Sequence, residues 1–234
     1  MEESKKYRKF LSQLIADKFF VYGNHAKNAL TFHGIPEKPL VISGSPRYDI
    51  LFNEIKNTEE KYIILMGSAL PSTAFSHFLS NNVILEWEKM LTSVFVALKE
   101  LNEEIIIKRH PTRNGEIIDF KVLANKFLPG AKIYKNKNTY KLLSKSKLVV
   151  SMMSSTITEA IILDKPVVMP RHFNQDLGPP FADTNAVLTI DKPEDALTVI
   201  KKALYDDKVR AKLKTGREKF IKENLEYGGK STEK

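Results

Sequence analysis

The chain has 234 residues, of which 42% are hydrophobic and 28% charged, with no cysteine and a formal net charge of +9. This composition supports a packed core and excludes a disordered chain, while the lack of cysteine excludes disulfides and thiolate metal sites. The positive balance suits anionic partners, but the lysines are scattered through most helical stretches and none interleave with aromatics as a base-stacking surface would, which argues against nucleic acid.

The start, MEESKKYRKF, lacks the apolar centre of a secretory signal, and no run of about 18 apolar residues could span a bilayer. The expectation is a cytoplasmic protein. The first segment reads as a basic amphipathic helix, with Tyr7, Phe10, Leu11, Leu14 and Ile15 on one face and Lys5, Lys6, Arg8 and Lys9 elsewhere. Such a face ordinarily docks on protein, and its alternative use is peripheral contact with the inner face of an anionic membrane.

Beyond it, short apolar runs predict strands at Phe19 to Tyr22 and Leu40 to Ser43. The polar stretch Asn53 to Lys61 reads as a linker, and further strands are predicted at Tyr62 to Met66, Glu104 to Lys108, Lys132 to Tyr134, Leu148 to Ser151, Pro166 to Met169 and Ala186 to Ile190. Helical periodicity falls between them, at Trp87 to Leu98, Phe120 to Phe127, Thr156 to Ile161 and Ala196 to Ala203. Asn138-Thr139 and Lys192-Pro193-Glu194-Asp195 mark helix starts. Continuous apolar strands alternating with helices mean an α/β domain with a doubly wound parallel sheet. The predicted organisation is residues 1–52 as a short remnant of a second domain, 53–61 as linker and 62–234 as the main Rossmann-like domain.

Ligands of such sheets sit beyond the carboxyl ends of the strands, where loops lead into helix N-termini. Three predicted strand ends carry residues suited to phosphate. Met66 is followed by Gly67-Ser68, Ile107 by Lys108-Arg109-His110-Pro111, and Val150 by Ser151 and then Ser154-Ser155-Thr156. Small hydroxyls at a helix start either cap the helix or let an anion approach its exposed N–H groups. A cap needs one hydroxyl and three stand together, which favours the ligand. Pro111 restricts the backbone of His110, whose imidazole could donate to a phosphoryl oxygen or protonate a leaving group; the alternative is a loop histidine without a role. Lys108 and Arg109 alternate faces, so at most one reaches a ligand and Lys108 is left to snorkel. Glu159, one turn into the helix, either accepts from ribose hydroxyls or is a solvated charge. Dinucleotide, P-loop, zinc-hydrolase and nucleophile-elbow motifs are absent from the sequence, and neither metal nor organic cofactor is called for.

The motifs FVYGNHAKNALTFHGIPEKPLVISGSPRYD, YIILMGS, IIIKRHP and LVVSMMSSTITEAIILDKPVVMP, in that order, resemble the carboxyl half of GT-B glycosyltransferase-like proteins. The resemblance is nearest to surface-polysaccharide transferases, including the capsule-biosynthesis and CDP-glycerol glycerophosphotransferase groups. It implies a nucleotide-activated donor, with CMP or CDP favoured over UDP, and a polysaccharide or lipid-linked acceptor. It further implies His110 as the catalytic residue at the donor phosphate, Ser154, Ser155, Thr156 and Arg109 around that phosphate, Gly67 and Ser68 along the cleft, and Glu159 at the ribose. No general base stands out, Asp176 and Asp183 being weak candidates. GSPRYD departs from the GNTxxD form of UDP-N-acetylglucosamine 2-epimerases, which stay as the alternative beside a non-catalytic nucleotide- or partner-binding module. GT-B proteins have two Rossmann-like domains, so the resemblance also implies a partner chain or domain supplying the other half.

Overall fold

A computed structural model describes residues 17–32, 34–67, 81–111, 119–152, 154–171, 181 and 184–233, without the side chains of 81–83. The amphipathic segment through Ile15, as well as Ser68, Asp176 and Asp183, lies outside the described residues. Two compact units are present, one made of residues 55–217 and the other of 1–54 with 218–234.

The larger unit is built on six parallel strands: β3 (Tyr62–Met66), β4 (Ile105–Lys108), β5 (Lys132–Tyr134), β6 (Ser146–Ser151), β7 (Val167–Pro170) and β8 (Leu188–Ile190), in the spatial order β5-β4-β3-β6-β7-β8. The sequence alternates strand and helix because each apolar strand must be covered on both faces. On one face α3 (Asn81–Lys99) presents Trp87, Met90, Leu91, Val94, Phe95 and Leu98, the i, i+3, i+4 stripe of an amphipathic helix, to Ile63, Leu65, Ile107, Leu148 and Val150. Phe95 meets Phe120 of α4 (Phe120–Phe127) edge to face at 5.9 Å, and α7 (Ala196–Tyr205) adds Ile200 and Ala203 to the same cluster. Each large side chain so buried contributes about 1.5–3 kcal/mol. The other face carries Ile64, Ile106, Val149 and Val167. It is met by α5 (Thr139–Leu143) beside β6 and by α6 (Ser155–Ile162) against β6 and β7.

Helix starts follow their sequence signals. Asp119 accepts from Lys121 N at 2.7 Å and Asn138 from Lys141 N at 3.0 Å, each an N-cap, and Pro193 opens a 3₁₀ turn into α7. The stretch expected to be a linker is instead tied down from residue 57 onward. Thr58 N donates to Ser144 O, Asn57 Nδ2 to Leu163 O, and Lys165, 1% exposed, donates its ammonium to Glu60 at 3.1 Å. Helix α8 (Asp207–Asn224) begins in this unit, where Gly216 lies against the backbone of Thr184 and Asn185.

The smaller unit holds a parallel pair, β1 (Phe19–Val21) and β2 (Leu40–Ile42), joined through α1 (Asn24–Phe32) and followed by α2 (Pro46–Asn53). Residues 218–234 group here, not with the main domain to which the sequence assigned them. Glu226 N donates to Tyr22 O, Asn53 Nδ2 to Gly229 O, and the Asp49 carboxylate accepts from Ser231 N at 3.1 Å and Thr232 N at 2.8 Å. Burial works to raise the Asp49 pKa, but those N–H donors outweigh it and hold the carboxyl below the ordinary aspartate value. Gly44, at φ +70°, allows the turn before α2; a Cβ there would strike Glu226 O and the Ser231 hydroxyl.

Candidate functional site

The strand order places a topological switch point between β3 and β6, since the chain proceeds from β3 through β4 to β5 on one side and from β6 through β7 to β8 on the other. In doubly wound folds the carboxyl edge at such a switch point is where a crevice opens and ligands bind. The register sharpens this. Met66 pairs with Lys108 on one side and Ser151 on the other, so β4, β3 and β6 end level. With strands about 4.8 Å apart, the ends of β4 and β6, on either side of β3, stand roughly 10 Å from each other. The three loops that the sequence singled out thus leave the sheet side by side.

Ser154 is the N-cap of α6, with extended backbone (φ −155°, ψ 153°). Its hydroxyl accepts from Thr156 N at 3.3 Å and donates to Thr156 Oγ1 at 3.2 Å. Both are at the long end of hydrogen-bond geometry, so capping makes weak use of these groups. Ser155 is exposed, and the first turn of α6 supplies no acid of its own to the positive end of the helix. The fourth hydroxyl behaves differently: Ser151 is fully buried and donates to Met152 O at 2.9 Å, so it belongs to the strand end. Glu159 is 3% exposed, which removes the reading of a solvated helix charge. A carboxylate is kept in such a place only where its oxygens are satisfied.

On the β4 side, Lys108 does not snorkel. It is buried with its ammonium donating to Arg109 O at 3.0 Å and Lys135 O at 2.9 Å, which fastens the starts of two loops together. Arg109 N donates to Tyr134 O at 2.8 Å, and its guanidinium lies 3.6 Å from Asp119, the cap of α4. That pairing draws Arg109 toward the β5 side of the loop. The sequence signal was available, because an Asp directly before an apolar helical run is a cap signature. His110 follows, half-buried, and Gly67 is buried with its N–H on Lys108 O at 2.8 Å. Among the described residues no cluster of His, Asp and Glu could hold a metal ion, and no helix is long and apolar enough to cross a membrane.

A parallel α/β unit with this strand order is Rossmann-like, the fold of GT-B proteins. Solved structures share this fold: S. aureus MnaA with UDP (TM-score 0.66, 15% identity, 93% of this chain and 58% of that one), the wall teichoic acid polymerase TagF (0.53, 14%, 99% and 59%) and a glycosyltransferase of Rickettsia africae (0.56, 16%, 97% and 65%). The chain belongs to the UDP-N-acetylglucosamine 2-epimerase family, which matches residues 3–226. No curated protein matches its sequence. The chain spans less than two thirds of the length of these structural neighbours.

Proposed function

We propose that the crevice between β3 and β6 binds the phosphates of a pyrimidine nucleotide-activated donor, and that the chain is the donor half of an enzyme transferring a glycosyl or glycerophosphoryl group to a surface-polysaccharide acceptor. The observation that carries the reading is the start of α6, where three hydroxyls gather at a helix N-terminus bounding the switch-point crevice. Breaking the bond to the nucleotide leaves negative charge on its terminal phosphate. Ser154, Ser155, Thr156 and the helix dipole would stabilise that charge, with His110 donating from the β4 side. Gly67 and Ser68 would let the phosphates come close to β3, and Glu159 would meet the ribose. Arg109, held toward Asp119, would assist by its field more than by contact.

A second reading has its own support, since the matched family is that of UDP-N-acetylglucosamine 2-epimerase and MnaA was solved with UDP. In that reading the same phosphate cradle holds UDP while the sugar is inverted at C2, which requires breaking and remaking the C2–H bond.

Calorimetric titration with CMP, CDP, UDP and GDP tests the site. Saturable binding of a pyrimidine nucleotide is expected, weakened about tenfold or more by Ser154→Ala with Ser155→Ala through the loss of two charge-assisted bonds. Equal affinity in that double variant would remove the cradle. A cytidine preference supports transfer; a uridine preference with solvent deuterium entering C2 of UDP-N-acetylglucosamine supports epimerisation.

A further inference from the structure

A second charged feature lies along the face of β4 and β5, its lining running from the amino ends of the strands to Tyr134 and Lys137 at the carboxyl end of β5. Among the described residues the face above β4 and β5 is met chiefly by helix α5, which has only five residues and packs beside β6. Parallel sheets are ordinarily covered by helices on both faces. Here the opening is a groove of about 420 Å³, floored by the buried Tyr62 and Ile106. Its walls carry Lys61, Lys132, Lys137, Lys141 and Lys145, with Glu104 as the sole acid among the lining residues. Lys61, Glu104, Lys132 and Lys145 stand at or just before the amino ends of β3, β4, β5 and β6, while Tyr134 and Lys137 close the groove at the carboxyl end of β5, two strands away from the β3–β6 switch point.

The charge there is poorly balanced. Glu104 is occupied by Lys132 at 2.7 Å, and Lys61 pairs with Glu59 at 3.2 Å, both partners being highly exposed and the pair correspondingly weak. The Lys137 ammonium lies 4.2 Å from the centre of the Tyr134 ring. Among the described residues no carboxylate pairs with Lys137, Lys141 or Lys145. Like charges brought together from β3, β5 and α5 repel, and a bound anion would relieve that repulsion. Ammonium groups act on phosphate as compact point charges without the planar fork that selects carboxylates. The volume is that of a small-ligand pocket, and the lysines converge on one concavity and do not form a long stripe.

We propose that this groove is a second anion site, separate from the crevice, that takes a small oligophosphate. The test is calorimetric titration of the full chain with inorganic tripolyphosphate at low salt, on the wild type, on Lys141→Gln with Lys145→Gln, and on Ser154→Ala with Ser155→Ala. Expected is a saturable event that weakens as salt is added, is lost by about tenfold or more in the lysine variant and keeps its constant in the serine variant, any second event that the serine variant removes belonging to the crevice. The two lysines are exposed, so their replacement should leave the melting temperature and nucleotide binding at the crevice as they are. Equal affinity in the lysine variant, loss of that event in the serine variant, or no saturable heat at low salt would each overturn the proposal. Binding of long-chain polyphosphate without tripolyphosphate would overturn it in favour of an extended polymer.

Discussion

Replacing Gly216 by alanine sets two effects against each other. Helix propensity alone favours alanine inside α8 by about 1 kcal/mol. The packing opposes it: a Cβ on Gly216 would overlap the carbonyl group of Asn185 and come within 2.6 Å of Thr184 O. These are backbone atoms of a segment whose neighbours Thr184 and Ala186 are buried, and Asn185 already sits at φ +57°. No rotamer change can clear them, so helix or loop must shift by about 1 Å, at the upper end of the ~1–3 kcal/mol cost of overpacking. The net is a loss of about 2 kcal/mol, which for a chain of this size lowers the melting temperature by about 4–8 °C. Gly130→Ala is the control, because nothing lies within 4 Å of its Cβ and its φ is not positive; its effect should stay within about 1 kcal/mol. Thermal unfolding followed by circular dichroism compares them. A Gly216→Ala protein that melts at or above the wild type would refute the close-approach argument.

Three further substitutions probe charges held by buried groups. Asp49→Asn removes the anion that holds the N–H groups of Ser231 and Thr232, and hydrogen exchange should rise over residues 226–233, with a local loss of about 1.5 kcal/mol. Because the Asp49 pKa is depressed in the folded chain, its contribution is present above the unfolded value near 3.9 and fades as pH falls through the lower folded value; in the wild type this protection should drop only below about pH 4, and the variant should lack that step. Glu60→Gln should cost about 2 kcal/mol by leaving the buried Lys165 ammonium without its anion, whereas Lys165→Met, which leaves only the partly hydrated Glu60 behind, should stay within about 1 kcal/mol; urea unfolding that gives the reverse order would refute the assignment of Glu60 as the partner that satisfies Lys165.

The sheet was readable because its strands are buried on both faces, so Tyr62 to Met66 and Leu148 to Ser151 need no alternation to be recognised. Helix α8 was not, since DKVRAKLKTGREKFIKEN buries little besides Leu213, Gly216, Arg217 and Phe220, and a glycine and an arginine on the inner face break the apolar period. The Arg217 guanidinium is held instead by Asp164, an ion pair between residues 53 apart in sequence that no local pattern announces. Asp49 was likewise hidden: it was read only as part of GSPRYD, and its partners lie more than 180 positions away. At the candidate site, sequence order sufficed to name the three strand ends. What required coordinates was the inward turn of Ser151, the capture of Arg109 by Asp119 and the burial of Glu159.

The level ending of β4, β3 and β6 bears on how such a protein can change. Because the ladder pairs Met66 with both Lys108 and Ser151, the height at which each loop departs is set by the hydrogen-bonded sheet and owes nothing to the loops themselves. The Lys108 ammonium, gripping Arg109 O and Lys135 O, clamps the β4 exit from below. Insertions or exchanges beyond these anchor points would alter what hangs over the crevice without unseating the platform. New specificities could therefore arise by loop replacement at little cost to the core, a form of modularity written into the strand register.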